Sequence, residues 1–486
     1  MIRTEGTEAV VALEDAEPDV LFEHIPGTGI PLWPLLRWPL ARSTQEIELN
    51  TVAVTRTITR TQYYRRLATR VLPNRHAGSR TRLAADVMFW VDGGTFSQTP
   101  QGRRNWLVDD LAEAVDDRAL VLQDLPLDSS TPRSERPQFG RATTFAGALT
   151  RVDIAAWAHR SDHRNDHRIR EIIRETFAAL PFAVDETRIA DIERRVLYRV
   201  RRVAQAQREF ERVLDRVRPR LVVMQLASYG DRAPMISAMH DRGILVAEPQ
   251  HGWIGPYHVS YNFGSAMWRP ELKTTLPDVL LTFGEFWSSI VRTPSELVAI
   301  GKPHLEQQAA AGLVPGAKKR EVLVISSVFQ REELTRFTLQ LRDALPPAWT
   351  VRFRPHPSER TTVDALYAGL VDQSRIEFDR TPDVAEPLVS ASAVFGLAST
   401  VLYEALAFGC DVFVIDSPLA NLSSDVSTFG ERISDAASLG RAVEELTRAN
   451  GVAPIDRDLL ESIWAPHAVE NFRRFVDERV PVSPAI

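Results

Sequence analysis

The stretch from 389 to 418, VSASAVFGLASTVLYEALAFGCDVFVIDSP, constrains the fold more than composition does. Ala393, Val394 and Phe395 form an apolar run too short for a helix and stopped by Gly396, which predicts a buried strand and a tight turn. Ser399 and Thr400 then supply hydroxyls where a helix begins, Leu402, Ala405 and Leu406 recur at helical spacing, and Gly409 supplies the stop. Val412 to Ile415 is a second apolar run, so the stretch reads as strand, helix, strand. A helix starting just past the carboxyl end of a parallel strand aims unpaired N–H groups into the crevice where open α/β sheets bind ligands, and phosphate is the natural guest. Glu404 lies one position beyond the acid of a capping box. About one helical turn in from such a phosphate, its carboxylate is placed to accept hydrogen bonds from ribose hydroxyls; read as a structural residue, it only complements the helix dipole.

The 486 residues, 44% hydrophobic and 25% charged, suffice for two or three cores. A formal charge of -6 gives no overall attraction to nucleic acid. A single cysteine, Cys410, excludes an internal disulfide and any multi-cysteine metal cluster, which suits the cytoplasm. The opening residues are acidic without an apolar core, so no signal peptide is expected, and no run approaches the ~20 apolar residues of a membrane span. Membrane contact is therefore expected only at the periphery, at the inner face. The segment 55–82 is dense in arginine with Tyr63, Tyr64, Leu67 and Val71 interleaved, a pattern of either a basic surface-lying helix or a solvated helix face.

Further along, alternation recurs. Residues 20–42 are broken by Pro and Gly into a turn and a short helix. A strand is expected over 86–91, ending in Asp92-Gly93-Gly94, then a helix over 105–115, a strand over 120–122, a loop over 128–150 and helices to about 217. Asp162, His163, Asp166 and His167 have metal-like helical spacing, but the interleaved Arg160, Arg164 and Arg168 point to a solvated surface. Strands over 220–224, 244–247 and 279–283, with a helix over 234–242, complete a first set, and 300–303 reads as a hinge. Strands over 321–325 and 350–353, a helix over 331–345, the 389–418 unit and helices from Ser438 and Asp456 form a second. The expected division is an extension at 1–84, a Rossmann-like domain with a helical insertion at 85–300, and a second Rossmann-like domain at 301–486.

Arg354-Pro355-His356-Pro357 follows a strand at its carboxyl end, where flanking prolines hold the His356 ring with little entropy loss. An imidazole there suits a diphosphate, with Arg354 as neighbouring charge. Gln250-His251-Gly252 ends a strand of the first set and suits a general base, with His258 and Tyr261 following on a Gly/Pro-punctuated loop expected to be flexible. Of His251 and His258, one is read as catalytic and the other as positional. Asp92 is the rival base. No GxGxxG follows the first strand, and no Walker lysine loop or GxSxG elbow occurs, which argues against a dehydrogenase, an NTPase and a serine hydrolase.

On these residues the chain resembles glycosyltransferases of the GT-B fold that build bacterial capsule and surface polysaccharides. Glu248-Pro249-Gln250-His251-Gly252 with Tyr257-His258-Val259-Ser260-Tyr261 looks like their QHG…HxxY signature. Arg354-Pro355-His356-Pro357 looks like their HP motif, and Ser399-Thr400 with Glu404-Ala405 like their S/T…EA motif. The motif order is also similar to that of CDP-glycerol glycerophosphotransferases, and the HP and hydroxyl pair to CMP-sugar transferases for sialic acid or Kdo. The resemblance spans about 86–418. It implies an α/β GT-B fold, two Rossmann-like domains facing across a cleft, the first holding the acceptor and the second the nucleotide-sugar. The implied reaction moves a sugar, with inversion and without a metal or other cofactor, to a glycan or lipid-linked acceptor. His251 would be the base, Arg354, His356 and the Ser399/Thr400 helix terminus would stabilise the leaving phosphate, Glu404 would hold the ribose, and Gln250, His258 and Tyr261 would line the acceptor loop. Sialyltransferase-like members carry an acidic pair before Gly; here only Asp92 matches, preceded by Val91, which moves the base to His251. The runner-up activity is glycerophosphate transfer, and the alternative of another class is a non-catalytic scaffold binding nucleotide or glycan.

Overall fold

The protein is described by a computed structural model covering residues 5–48, 84–92, 95–99, 102–124, 139, 141–158, 163–180, 183–312, 318–328, 330–423, 426–430, 432–448 and 456–481. The arginine-dense segment 55–82, Gly93, Gly94 and Asp162 lie outside the described residues. The chain forms two compact units, one of Arg3–Thr282, Trp287–Ile300 and His467–Ile486, the other gathering Phe283–Phe286 and Gly301–Pro466.

The N-terminal unit contains β1 (Val87–Asp92), β2 (Phe96–Thr99), β3 (Gly102–Asn105), β4 (Ala119–Asp124), β5 (Ala142–Thr144), β6 (Leu221–Met224), β7 (Leu245–Pro249), β8 (Val279–Thr282) and β9 (Glu296–Ala299). Seven of these form one parallel sheet in the order β5-β4-β1-β6-β7-β8-β9, with β2 and β3 a separate hairpin. The apolar run of β1 is continuous because both faces of a parallel sheet are covered. Its period of two divides it between two cores. Val87, Phe89 and Val91 share one with Leu111, Phe472 and Phe475, and Met88 and Trp90 share the other with Phe145, Phe210 and Leu214.

Several expected boundaries differ from the observed ones. The last helix, Ala468–Arg479, was grouped with the C-terminal domain, yet it belongs to the N-terminal unit: Phe472 meets Phe89 with ring centroids 5.8 Å apart and Asp477 pairs with Arg118 at 2.8 Å. The described part of the extension, residues 5–48, belongs to the N-terminal unit rather than forming a division of its own. Helices Glu5–Ala16 and Trp33–Glu48 share a core with Asp166–Ala178 and Glu186–Val217, and a buried Glu14–Arg37 pair ties them to the backbone at Val259, Asn262 and Gly264. The expected helix over 105–115 starts only at Asp109, because 96–105 forms the β2–β3 hairpin, and the end of the expected 128–150 loop is β5 and the start of helix Ala146–Ala158. Edge strands such as β5 are short and polar, so no apolar run announces them.

The C-terminal unit contains β10 (Glu321–Ile325), β11 (Thr350–Arg354), β12 (Ile376–Phe378), β13 (Ala393–Gly396) and β14 (Asp411–Val414), all parallel, in the order β12-β11-β10-β13-β14. Both units are thus Rossmann-like α/β structures. In each, the chain fills one side of its first strand and then crosses to the other, so a topological switch point lies between β1 and β6 and another between β10 and β13. Among the described residues no helix is long and apolar enough to cross a membrane.

Candidate functional site

In the N-terminal unit the site grows from β7, a central strand that carries Glu248 into the interior at 0% exposure. A bare carboxylate there would be costly, and three donors meet it. The Ser228 N–H (2.8 Å) and hydroxyl donate to Oε2, and the Tyr261 hydroxyl donates to Oε1 at 2.9 Å. Burial still raises its pKa to about 7, against the pull of Ser228, Tyr261 and Arg232.

His251 lies two residues beyond β7. The backbone N–H of Gln250 continues the sheet to the Leu281 carbonyl at 2.8 Å, and its side-chain amide donates to the Gly252 carbonyl at 2.9 Å, which fixes the turn. His251 Nδ1 stands 3.5 Å from the Tyr261 hydroxyl. Burial lowers the His251 pKa to about 4, with the negative charge of Asp92 opposing the shift. Asp92 ends β1 at the switch point, its N–H donating to Gln225 Oε1 at 3.1 Å. Asp92 and His251, rivals in the sequence, therefore act on one another in one site. His258 Nε2 lies 3.2 Å from the Tyr229 hydroxyl, its Nδ1 is buried without a partner, and burial, then His251, lower its pKa to about 3. The segment 252–261 is not the flexible loop expected from its glycines and proline. Asn262 Nδ2 donates to the Gly255 and His258 carbonyls, and Tyr261 is buried.

These shifts have a testable sign. Between pH 4.5 and 7 native Glu248 holds a proton that the unfolded chain has lost, so its contribution to stability falls as pH rises. His251 and His258 are neutral when native and charged when unfolded, so theirs rises as pH climbs toward 6.5. Removing the Glu248 proton in Glu248→Gln should steepen the rise of unfolding free energy between pH 5 and 6.5 by roughly 1.4 kcal/mol per pH unit relative to the wild type. Parallel urea-unfolding series would check it, and parallel slopes would contradict it.

In the C-terminal unit two helices start at the carboxyl ends that flank the β10/β13 switch point. Arg331–Ala344 carries Glu332 and Glu333 in its first turn, which repels an anion. Thr400–Ala407 carries no acid there, and Ser399 is its N-cap, Oγ accepting from the Val401 N–H at 3.2 Å. Gly409, at φ +66°, closes this helix in the left-handed conformation that glycine favours. One strand over from β10, the His356 N–H donates to Ser326 Oγ at 2.7 Å, and Ser326 donates to the buried Glu359 at 3.1 Å. Glu359 also accepts from Arg331 (2.6 Å) and Tyr367 (3.1 Å), which anchors the turn. His356 Nδ1 accepts from the Ser358 N–H at 3.2 Å, so its proton sits on Nε2 and is available to a ligand.

Two side chains differ from expectation in their partners. Arg354 is not a free charge for phosphate: it is buried, and its guanidinium pairs with Asp379 and donates to Thr381 Oγ at 3.0 Å. Its alternation on β11 puts it beside the loop after β12, whose Asp379 also takes Arg352 at 3.0 Å. Glu404 is buried and its carboxylate meets Lys302 Nζ at 2.8 Å, beneath the rings of Phe283 and Trp464, so a ribose would have to share it. Sequence reasoning missed Glu248, Ser228, Tyr229, Ser326 and Glu359 as organising residues. An acid inside the apolar run 244–249 was the available signal, since a buried carboxylate demands partners.

No family model matches the chain, and no curated protein matches it. Solved structures are similar to it at low identity. A Methanocaldococcus jannaschii UDP-GlcNAc 2-epimerase, in complex with UDP-GlcNAc and UDP, is 10% identical, with 81% of this chain and 98% of that chain covered and a TM-score of 0.45. The Neisseria meningitidis UDP-GlcNAc 2-epimerase bound to UDP-GlcNAc is 10% identical, with 81% and 99% covered and a TM-score of 0.41. A glycotransferase of kitacinnamycin is 12% identical, with 82% and 100% covered and a TM-score of 0.46. At these values function has to be read from the chain's own residues.

Proposed function

We propose that the chain is a GT-B glycosyltransferase of bacterial surface-polysaccharide synthesis, which moves a sugar from a nucleotide-sugar to a hydroxyl of a glycan or lipid-linked acceptor. The observation that carries this reading is the C-terminal switch point, where an acid-free, serine-capped helix terminus and the Nε2–H of His356 stand at the carboxyl ends of β13 and β11, strands two spacings (about 10 Å) apart with β10 between them. That spacing and polarity suit a diphosphate. In this reading the helix N–H groups and His356 stabilise charge on the leaving phosphate, and His251, neutral at physiological pH, takes the acceptor proton with inversion at the anomeric carbon. Work at the inner face of the membrane fits a lipid-linked acceptor.

A thermal-shift panel of CMP, CDP, UDP, GDP and dTDP tests the donor site, since ligand at 100 times its dissociation constant adds about 2.7 kcal/mol of stability. His356→Ala keeps the backbone N–H to Ser326 but loses the Nε2 donor, and should weaken the best nucleotide roughly 10- to 100-fold, as expected for a hydrogen bond to a charged group. Wild-type affinity in that variant would remove the donor site from this turn. The phosphate partners proposed here are helix dipole and imidazole rather than a metal, so turnover should survive excess EDTA; loss restored by Mg²⁺ would show another way of neutralising the phosphate.

A further inference from the structure

We propose that Glu248, acting through Tyr261, sets the tautomer of His251 and so decides whether Nε2 of that ring is free to accept a proton. The inference rests on the reading of His251 as base. The Ser228 N–H and hydroxyl both donate to Glu248 Oε2, so any proton on this carboxyl sits on Oε1, the oxygen that faces Tyr261. Tyr261 has one hydroxyl proton, for which Glu248 Oε1 at 2.9 Å and His251 Nδ1 at 3.5 Å compete beside the Tyr229 hydroxyl that also hydrogen-bonds the phenol.

With Glu248 ionised, the Tyr261 proton points to Oε1 and the phenol oxygen is left as an acceptor. The complementary His251 tautomer then carries its proton on Nδ1, and Nε2 is a free lone pair. With Glu248 protonated, the carboxyl donates to the Tyr261 oxygen, the phenol proton turns to Nδ1, and Nε2 holds the hydrogen. At 3.5 Å the contact is at the long end for a hydrogen bond. Burial strengthens this electrostatic chain: Glu248 and Tyr261 are buried, and burial raises the phenol's pKa far enough to keep it protonated. The charged and titratable groups facing the chain are Arg232 and Tyr229 toward Glu248, Tyr229 and the His258 ring (centroid 4.8 Å away) toward Tyr261, and Asp92 and His258 toward His251. When His251 takes a proton, its Nδ1–H donates to Tyr261 and the tyrosine to the Glu248 anion, so the new positive charge is met two residues away. Glu248 and Tyr261 are positioning residues in this arrangement.

Two-bond ¹⁵N–¹H correlation spectra of histidine-labelled protein without substrate would test it, with the His251 signals identified by their absence in His251→Ala. Wild-type His251 should stay neutral and change from the Nε2–H to the Nδ1–H tautomer as the pH is raised from 5.5 to 8.5. Glu248→Gln should remain Nε2–H throughout, because Ser228 holds the amide oxygen and the NH₂ group donates to Tyr261, imitating protonated Glu248. Tyr261→Phe should lose the pH response. A wild-type tautomer that does not change over this range overturns the proposal even if neither variant folds, and a tautomer in Glu248→Gln that still switches overturns it too. If the tautomer behaves as expected while His251→Ala keeps its turnover, the chain from Glu248 stands and the reading of His251 as base falls.

Discussion

Replacing His251 with alanine is expected to lower turnover by about 10²–10⁴-fold, the usual contribution of a positioned acid or base, while nucleotide affinity stays nearly intact. The separation follows from placement. His251 and its partners Tyr261 and Asp92 all belong to the N-terminal unit, whereas the proposed phosphate partners follow β11 and β13 in the other. A ring that merely packs to hold the 252–261 segment would behave differently, since its loss would reduce stability and acceptor binding together. Asp92→Asn is the matched control, removing a carboxylate at constant size. Because Asp92 opposes the fall in the His251 pKa, its loss should make His251 a still weaker base and slow turnover by less than His251→Ala does. If instead Asp92→Asn abolishes turnover and His251→Ala retains most of it, Asp92 is the base.

Glu14→Ala should destabilise the N-terminal unit by about 3–5 kcal/mol, the range for breaking a buried ion pair by removing one partner. Glu14 is fully buried and accepts from Trp33 Nε1 at 2.8 Å, from the Gly264 N–H at 2.7 Å and from Arg37 through both Nε and a terminal nitrogen. Arg37, 4% exposed, also donates to the Val259 and Asn262 carbonyls and lies over the Phe263 ring at 4.2 Å. Alanine would leave that guanidinium buried without its carboxylate and orphan the Trp33 and Gly264 donors. Urea unfolding followed by tryptophan fluorescence reads the loss directly. Converting both partners, as Glu14→Leu with Arg37→Met, should recover much of it, since a well-packed apolar pair avoids both desolvation costs. A loss below about 1 kcal/mol in Glu14→Ala would mean that water reaches Arg37 and that the extension is not locked onto this core.

The sequence by itself determined the elements whose causes are local. Strands β1, β6, β7, β8, β10, β13 and β14 carry apolar runs bounded by turn residues, β11 alternates apolar and polar residues, and the Ser399 cap and the Gly409 stop follow from hydroxyl and backbone preferences within a few residues of each. Alternation of those strands with helices was enough for two parallel α/β units. The partners of the charged residues were decided only by tertiary structure. Arg354 is claimed by Asp379 because β12 lies next to β11, and Glu404 by Lys302 because the segment after Gly301 returns beside the helix Thr400–Ala407. Glu248 finds Ser228 and Tyr261 only once β6 and β7 are neighbours, and the last helix joins the N-terminal unit because Phe89 and its neighbours leave a sheet face that Phe472 covers. Periodicity and capping act over one turn or one strand and are written in adjacent residues. A buried charge is governed by whichever opposite charge or donor the sheet order brings within about 3 Å, and no local pattern carries that order.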